Sequence, residues 1–249
     1  MYSDNTGPAT DQRPPRGGMH EWPETIAEAL AIERRLAERV VVGPNRETPA
    51  SIAGIETAYG TGATRIYASA VLLRYPSLEE IGRSSAWKEV VFPYVPGLFY
   101  FREGPAVLEA LANLPSRPDV ALVHGHGRSH MRRCGMASMI GVVMDLCTIG
   151  CSRRLLAGRH RPVATGRGSC ESIRIERETV GYALRTKEGV KPLYISAGHR
   201  CDLSDARRLV WQSLTGFRLP EPMRLAHLLA NKYKRHMEDR KYPDHQSEG

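Results

Sequence analysis

The chain has 249 residues, enough for one large domain with a sizeable core, and its 41% hydrophobic and 25% charged content excludes wholesale disorder. No segment approaches about 18 uninterrupted apolar residues, which argues against a membrane-spanning helix. A formal net charge of +8 points to an anionic partner, with nucleic-acid phosphates and acidic lipid both open at this stage.

Met1 to about Gly18 is rich in Pro, Gly, Asp and Arg without apolar periodicity and reads as a disordered tail, ending by residue 20. It lacks a signal peptide's apolar region, so a cytoplasmic location is expected. Pro23 suits a helix start, and Ile26, Leu30, Leu36 and Val40 then recur on one helical face up to Gly43-Pro44. Ser51 to Tyr59 is strand-like and small or apolar except for one acidic residue, Glu56. Arg65 to Tyr75 and Ile81 to Val91 read as second and third strands, giving an antiparallel meander.

Phe92-Pro-Tyr-Val-Pro-Gly97 can continue neither strand nor helix, because its two prolines fix φ and remove donors; a stiff loop presenting Tyr94 is expected. Leu98 to about Leu114 has helical spacing, with Glu103 near its beginning and Leu108, Leu111 and Leu114 facing inward. Pro118 to Val123 is a strand buried on both faces, and it delivers His124-Gly-His-Gly127 to a glycine-rich turn. Strand ends of this kind are where α/β proteins place chemistry. A small-residue helix from Gly135 to Leu146 follows, then a short strand at Cys147-Thr-Ile-Gly150 and a basic run at Arg153-Arg154.

Thr179 to Thr186 and Lys191 to Ser196 read as a hairpin around Lys187-Glu-Gly189. Helices are expected from Asp205 to Leu214 and from Glu221 to about His236, with the chain dissolving into solvated charge from Tyr233 onward. The domain is thus taken as residues 21–236 and the charged tail as 237–249. The five cysteines are irregularly spaced, without a CxxC pair, and read as reduced thiols. His124 and His126 alone would also suit a zinc pair, but the downstream ligands of zinc hydrolases are missing.

Glu56, Glu103 and His124 converge if the first and fourth strands are neighbours. Carboxylates suit Mg²⁺ or Mn²⁺, which activate water against phosphodiesters. At these residues the chain resembles the endonuclease V family, nucleases of ribonuclease H-like fold that act at deaminated purines. The matching runs are Ile52-Ala-Gly54, Leu72-Leu-Arg-Tyr-Pro-Ser-Leu78, Phe92 to Gly97, Phe101-Arg-Glu-Gly-Pro105, and Gly125-His-Gly127 with His130, Arg132-Arg133 and Gly135. Later come Thr148-Ile-Gly150, Arg185-Thr-Lys-Glu-Gly189, Ala197-Gly-His199, Leu219-Pro-Glu-Pro222 and Arg224-Leu-Ala-His227.

The resemblance implies a mixed α/β sheet, an antiparallel meander followed by parallel strands, flanked by helices. It implies that Pro93, Tyr94, Val95, Pro96 and Gly97 form a wedge entering the duplex beside the lesion, and that amides around Gly125 and Gly135, with His130, line the pocket for a flipped hypoxanthine. Glu103 matches the family's catalytic glutamate and His227 an active-site histidine. Cleavage at the second phosphodiester 3′ to inosine, in DNA or RNA, is implied for a monomer using Mg²⁺. Glu56, His124 and Arg153 stand where the family has Asp, Asp and Lys. A nitrogen ligand at His124 shifts the preference toward Mn²⁺, and the three changes together leave a non-cleaving inosine binder as the alternative. Arg132, Arg133, Arg153, Arg154, Arg159 and Arg161 read as phosphate contacts.

Overall fold

A computed structural model describes residues 22–44 and 48–239; both sequence-predicted tails fall largely outside them. Eight strands form one sheet in the order β3-β2-β1-β4-β5-β8-β7-β6. The meander is β1 (Ser51–Tyr59), β2 (Arg65–Arg74) and β3 (Glu80–Glu89), all antiparallel. β4 (Val120–His124) and β5 (Cys147–Ser152) run parallel to β1, as the crossover helices α2 (Phe99–Ala112) and α3 (Met136–Met144) require. β8 (Leu193–His199) then reverses direction against β5, with β7 (Glu178–Leu184) and β6 (Cys170–Ile175) completing the sheet as an antiparallel set. The mixed sheet, an antiparallel meander joined to parallel strands, is the one expected.

Helices cover both faces. α1 (Ile26–Glu38), α2 and α3 pack on one side with Ala53, Ile55, Ala121 and Val123; α4 (Leu203–Gln212) and α5 (Glu221–Asp239) pack on the other with Ile52, Leu122 and Ile149. Strand alternation thus sorts β1: Ala53 and Ile55 face α2, while Ile52 faces α5. Glu56, two residues beyond Gly54, continues the α5 side, and Thr57 and Tyr59 continue the α2 side.

Four expectations need correction. β6 escaped notice because its apolar and polar residues are mixed and mostly half-buried at the sheet's edge, with only Ile173 fully buried. The expected hairpin forms, with β7 and β8 antiparallel and Leu184 opposite Leu193, but its strands are shifted to Glu178–Leu184 and Leu193–His199. α1 starts later than Pro23, at a capping box in which Thr25 accepts from the Glu28 amide and Glu28 reaches back. Its buried face is Ala29, Ile32, Glu33 and Leu36, whereas Ile26 is exposed.

The chain does not dissolve at Tyr233. α5 continues to Asp239 because Tyr233 packs edge-on against Tyr67, with ring centroids 5.8 Å apart, and Glu238 accepts from the Thr61 amide at 2.7 Å.

α5 approaches β1 most closely at Gly54, where an added Cβ would lie 2.1 Å from the Pro222 carbonyl carbon. Backbone meets backbone here, leaving no flexible atom to yield. Gly54→Ala is expected to destabilise the fold by about 1–3 kcal/mol or more through overpacking, read as a lowered urea midpoint. A wild-type midpoint would show that α5 can lift away freely.

Candidate active site

At the C-terminal ends of β1 and β4, Glu103 from α2 is 2% exposed and surrounded by donors. His124 Nε2 lies 2.6 Å from Glu103 Oε2, the Thr57 hydroxyl donates to the same oxygen at 2.9 Å, and the Tyr59 hydroxyl donates to Oε1 at 2.5 Å. Burial pushes the Glu103 pKa up, but the charge and hydrogen bond of His124, with the two hydroxyls, more than offset this and hold it below the usual range. Burial likewise pulls His124 down; the Glu103 carboxylate overrides it, Glu56 adds to the effect, and the imidazole is raised to about 9. At neutral pH this is an ion pair.

Glu56, on the opposite face of β1, is 3% exposed and has a different set of partners. Arg153, just beyond β5, donates to Glu56 Oε1 at 3.1 Å, and its same nitrogen lies 3.3 Å from His227 Nδ1. His227 on α5 stands 3.7 Å from Glu56 Oε2. The five candidate catalytic residues therefore gather around two carboxylates, each matched by a cationic side chain.

Beside this centre the Pro-rich loop presents Tyr94, 64% exposed, with its ring 5.3 Å from that of Phe99. Pro93 and Pro96 are exposed as well, while Val95 packs against the core. Both ends of the loop are tied down. Arg102 donates to the Phe92 carbonyl at 2.9 Å; at the far end, His130 Nε2 and Arg132 donate to the Gly97 carbonyl at 3.0 and 3.1 Å. Gly97 has φ +82, and a Cβ there would press on His130 at 3.1 Å, so glycine is required.

Arg132 is itself held by Glu33, which is fully buried on α1 and also lies 3.4 Å from His130 Nδ1. Sequence reasoning missed Glu33. Its signal was an acidic residue at the core phase of α1, four residues after Ala29 and three before Leu36.

The pocket loop is packed so closely that its glycines touch. A Cβ on Gly135 would lie 2.4 Å from the His126 carbonyl oxygen. The amides of Gly125 and Gly135 donate to Cys151 and Gly127 carbonyls, at 3.1 and 3.0 Å, so these two are already engaged within the chain. His126 is likewise structural in its contacts, with Nδ1 2.9 Å from the Ser129 hydroxyl. Among the proposed phosphate contacts, Arg132 and Arg153 serve Glu33 and Glu56, and Arg133 bonds Glu178 at 2.7 Å. Arg154, Arg159 and Arg161 are exposed.

The comparisons decide the family. A family model described as Endonuclease V matches residues 34–228. The chain belongs to the endonuclease V family. An Endonuclease V from Roseiflexus sp. (strain RS-1) is 43% identical over 210 residues, covering 84% of this chain and 94% of its own. The crystal structure of Endonuclease V from Streptomyces avermitilis superposes with a TM-score of 0.82 at 36% identity, covering 88% of this chain and 96% of that one. A Ciona intestinalis Endonuclease V, solved in complex with a 24mer DNA containing an inosine followed by a ribo-adenosine, shares the fold at 24% identity and TM-score 0.73, covering 86% and 100%. Nuclease activity, hydrolysis of a phosphodiester, is the activity this membership supports. No described helix is long and apolar enough to cross a membrane.

The family resemblance implies a divalent cation at Glu56, Glu103 and His124. Among the described residues, no three His, Cys, Asp or Glu side chains are grouped so as to hold a metal ion. Both Glu103 oxygens accept in-chain donors, and Glu56 faces Arg153. In this arrangement the residues do not fit the cation.

Two measurements probe the electrostatics. His126 and His130 are pushed down to about 4, in both cases first by burial, and so stay neutral in the fold. Between pH 6.5 and 4 the unfolded chain binds more protons, so their contribution is lost as pH falls; the contribution of His124 is complete below 6.5 and is lost as pH rises through about 9. Denaturation across this range should show stability falling on both sides, with His124→Gln flattening only the alkaline limb. An unchanged alkaline limb would show that His124 is not charged. Separately, Arg132→Ala leaves Glu33 buried without its cation and should cost about 3 kcal/mol or more; a neutral result would mean Glu33 is already protonated.

Proposed function

We propose that this chain is an inosine-directed endonuclease, cutting the second phosphodiester 3′ to inosine in DNA or RNA during repair of deaminated bases, as a cytoplasmic monomer. The observation that carries this reading is the wedge: Tyr94 is held out to solvent by a loop clamped at both carbonyl ends, one of them by His130 and Arg132 from the segment that follows the His124 strand. A rigid aromatic ring can replace a base lost from the stack without an ordering cost, and extrusion costs least at a mismatched base. DNA carrying inosine is also what the Ciona intestinalis neighbour, a guide to fold at 24% identity, was solved with.

The chain's own residues account for binding at the reacting phosphate. Glu56 and Glu103 alone would repel it. Arg153 and protonated His124 bring the formal charge of these four groups to zero, and Arg153, 42% exposed, retains surface toward solvent from which to meet a phosphate oxygen. His227 borders the same side.

A second reading is favoured by that same neutrality: an inosine binder that does not cleave. A divalent cation would first have to part His124 from Glu103 and Arg153 from Glu56, and Mn²⁺, which accepts an imidazole nitrogen, competes better there than Mg²⁺.

An inosine-containing oligonucleotide incubated with Mg²⁺, Mn²⁺ or EDTA separates the readings. The nuclease reading expects a nick 3′ to inosine, stronger with Mn²⁺. Inosine-selective retention on a gel with no nick in any condition establishes the binder, and Glu56→Asp with His124→Asp should then create Mg²⁺-dependent nicking. Tyr94→Ala is expected to weaken selective retention by about tenfold, the value of one stacked base. Neither nick nor retention would overturn both readings.

A further inference from the structure

Two aromatic rings are exposed away from the wedge. Trp211, at the end of α4, is 37% exposed, and Phe217, in the loop from α4 to α5, is 48% exposed. Each carries a guanidinium: Arg167 lies 4.7 Å from the Trp211 ring centroid and Arg224 lies 4.6 Å from that of Phe217. An arginine over a ring that is still open to solvent makes two layers of a stack and leaves room for a third. Arg224 is fixed in place by two bonds to Glu221, at 2.8 and 2.6 Å, and Glu221 also accepts from Thr215 at 2.6 Å.

Trp211 borders a cavity of about 460 Å³ lined by Gly168, Tyr182, Ser204, Arg207 and Arg208. Gly168 has φ +91 and approaches the indole so closely that a Cβ would meet the ring at 3.3 Å. Arg208 is paired with Asp205, and Arg167 and Arg207 add further positive charge around the indole.

This surface connects to the centre. Arg218, next to Phe217 in the chain, donates to the Arg153 carbonyl at 3.0 Å and to the Pro192 carbonyl at 2.9 Å. The loop bearing Phe217 is therefore bonded to the residue that neutralises Glu56, and it leads directly into α5, which carries His227. Phe217 is tied to the centre through Arg218, and each exposed ring carries an arginine, so the two rings offer an unpaired strand π-faces for its bases and positive charge beside its phosphates.

We infer that Trp211 and Phe217 form a stacking platform for an unpaired nucleic-acid strand that runs on from the centre. This rests on the reading of the chain as an inosine-directed nucleic-acid protein, and the occupant is the flank of the bound strand itself. Paired flanks would not use it, because their bases are already stacked.

The test compares binding, in EDTA, of a short inosine oligonucleotide that covers the centre, the same oligonucleotide extended by single-stranded flanks, and the extended one made duplex in its flanks. The wild-type chain should bind the single-stranded extension more tightly than the short form. Trp211→Ala and Phe217→Ala should each remove about tenfold of affinity for that extension, leaving the short form and the duplex-flanked form unchanged. Trp211→Phe should restore most of the loss, and indole fluorescence should be quenched by the single-stranded extension but not by the short form.

Equal affinity of the wild type for short and extended forms would overturn the platform. So would an equal loss on the short form, which would mark the rings as structural, or an equal loss on duplex flanks. Adenine-containing controls keep the two claims apart. If inosine recognition fails, inosine and adenine oligonucleotides bind alike while the flank effect persists; if the platform fails, the inosine preference persists without it.

Discussion

A carboxylate almost wholly removed from water stays ionised only where donors and opposite charge make up for lost hydration. Glu103 meets that condition with His124, Thr57 and Tyr59, drawn from β4 and β1. Much of the local architecture follows from it. Tyr59 must keep its proton to donate, and burial together with the Glu103 charge raises its pKa. Its ring in turn receives the Arg102 guanidinium at 5.4 Å, and Arg102 fixes the first carbonyl of the wedge loop. A chain of polar contacts thus runs from the Glu103 carboxylate to the base of Tyr94's loop.

The other end of that loop is governed by a second buried carboxylate. Glu33 lies on α1, far from the centre in sequence, yet through Arg132 it sets one of the two donors on the Gly97 carbonyl. Burial raises the Glu33 pKa, with Arg132 opposing. The loop is therefore suspended between two desolvated acids, one in α2 and one in α1. Both ends of the loop are held by polar bonds to main-chain carbonyls, and the Tyr94 ring, in contact with Phe99, stays exposed.

Much of this was legible in the residues. β1, β2 and β4 announced themselves as long apolar or small-residue runs, the prolines marked the loop, and the ordered motifs identified the family from Ile52 to His227. β6 was illegible because only one of its six residues, Ile173, is buried, so no apolar face marks it. The end of α5 was misjudged because its charges are local while its reason to stay helical, the Tyr67 ring, lies more than 160 residues earlier. At the site, residue types suggested which side chains meet but not how they pair. Spacing along a chain cannot tell that β1 hands Glu56 to Arg153 and His227 on one face and Thr57 and Tyr59 to Glu103 on the other.

That pairing gives the three departures from the family pattern a common logic. The Asp, Asp and Lys that the resemblance implies at these positions, with the glutamate, would hold three negative groups and one positive, an imbalance of two that a divalent cation would cancel. With Glu56, Glu103, protonated His124 and Arg153 the balance is two and two. Changing one aspartate to histidine removes a negative charge and adds a positive one, which alone shifts the sum by two. The longer Glu56 reaches Arg153, whose fixed guanidinium can hold a carboxylate and an imidazole nitrogen at once. Together the substitutions place the compensating charge within the chain, on residues distinct from Arg102, His130 and Arg132, which clamp the Pro-rich loop.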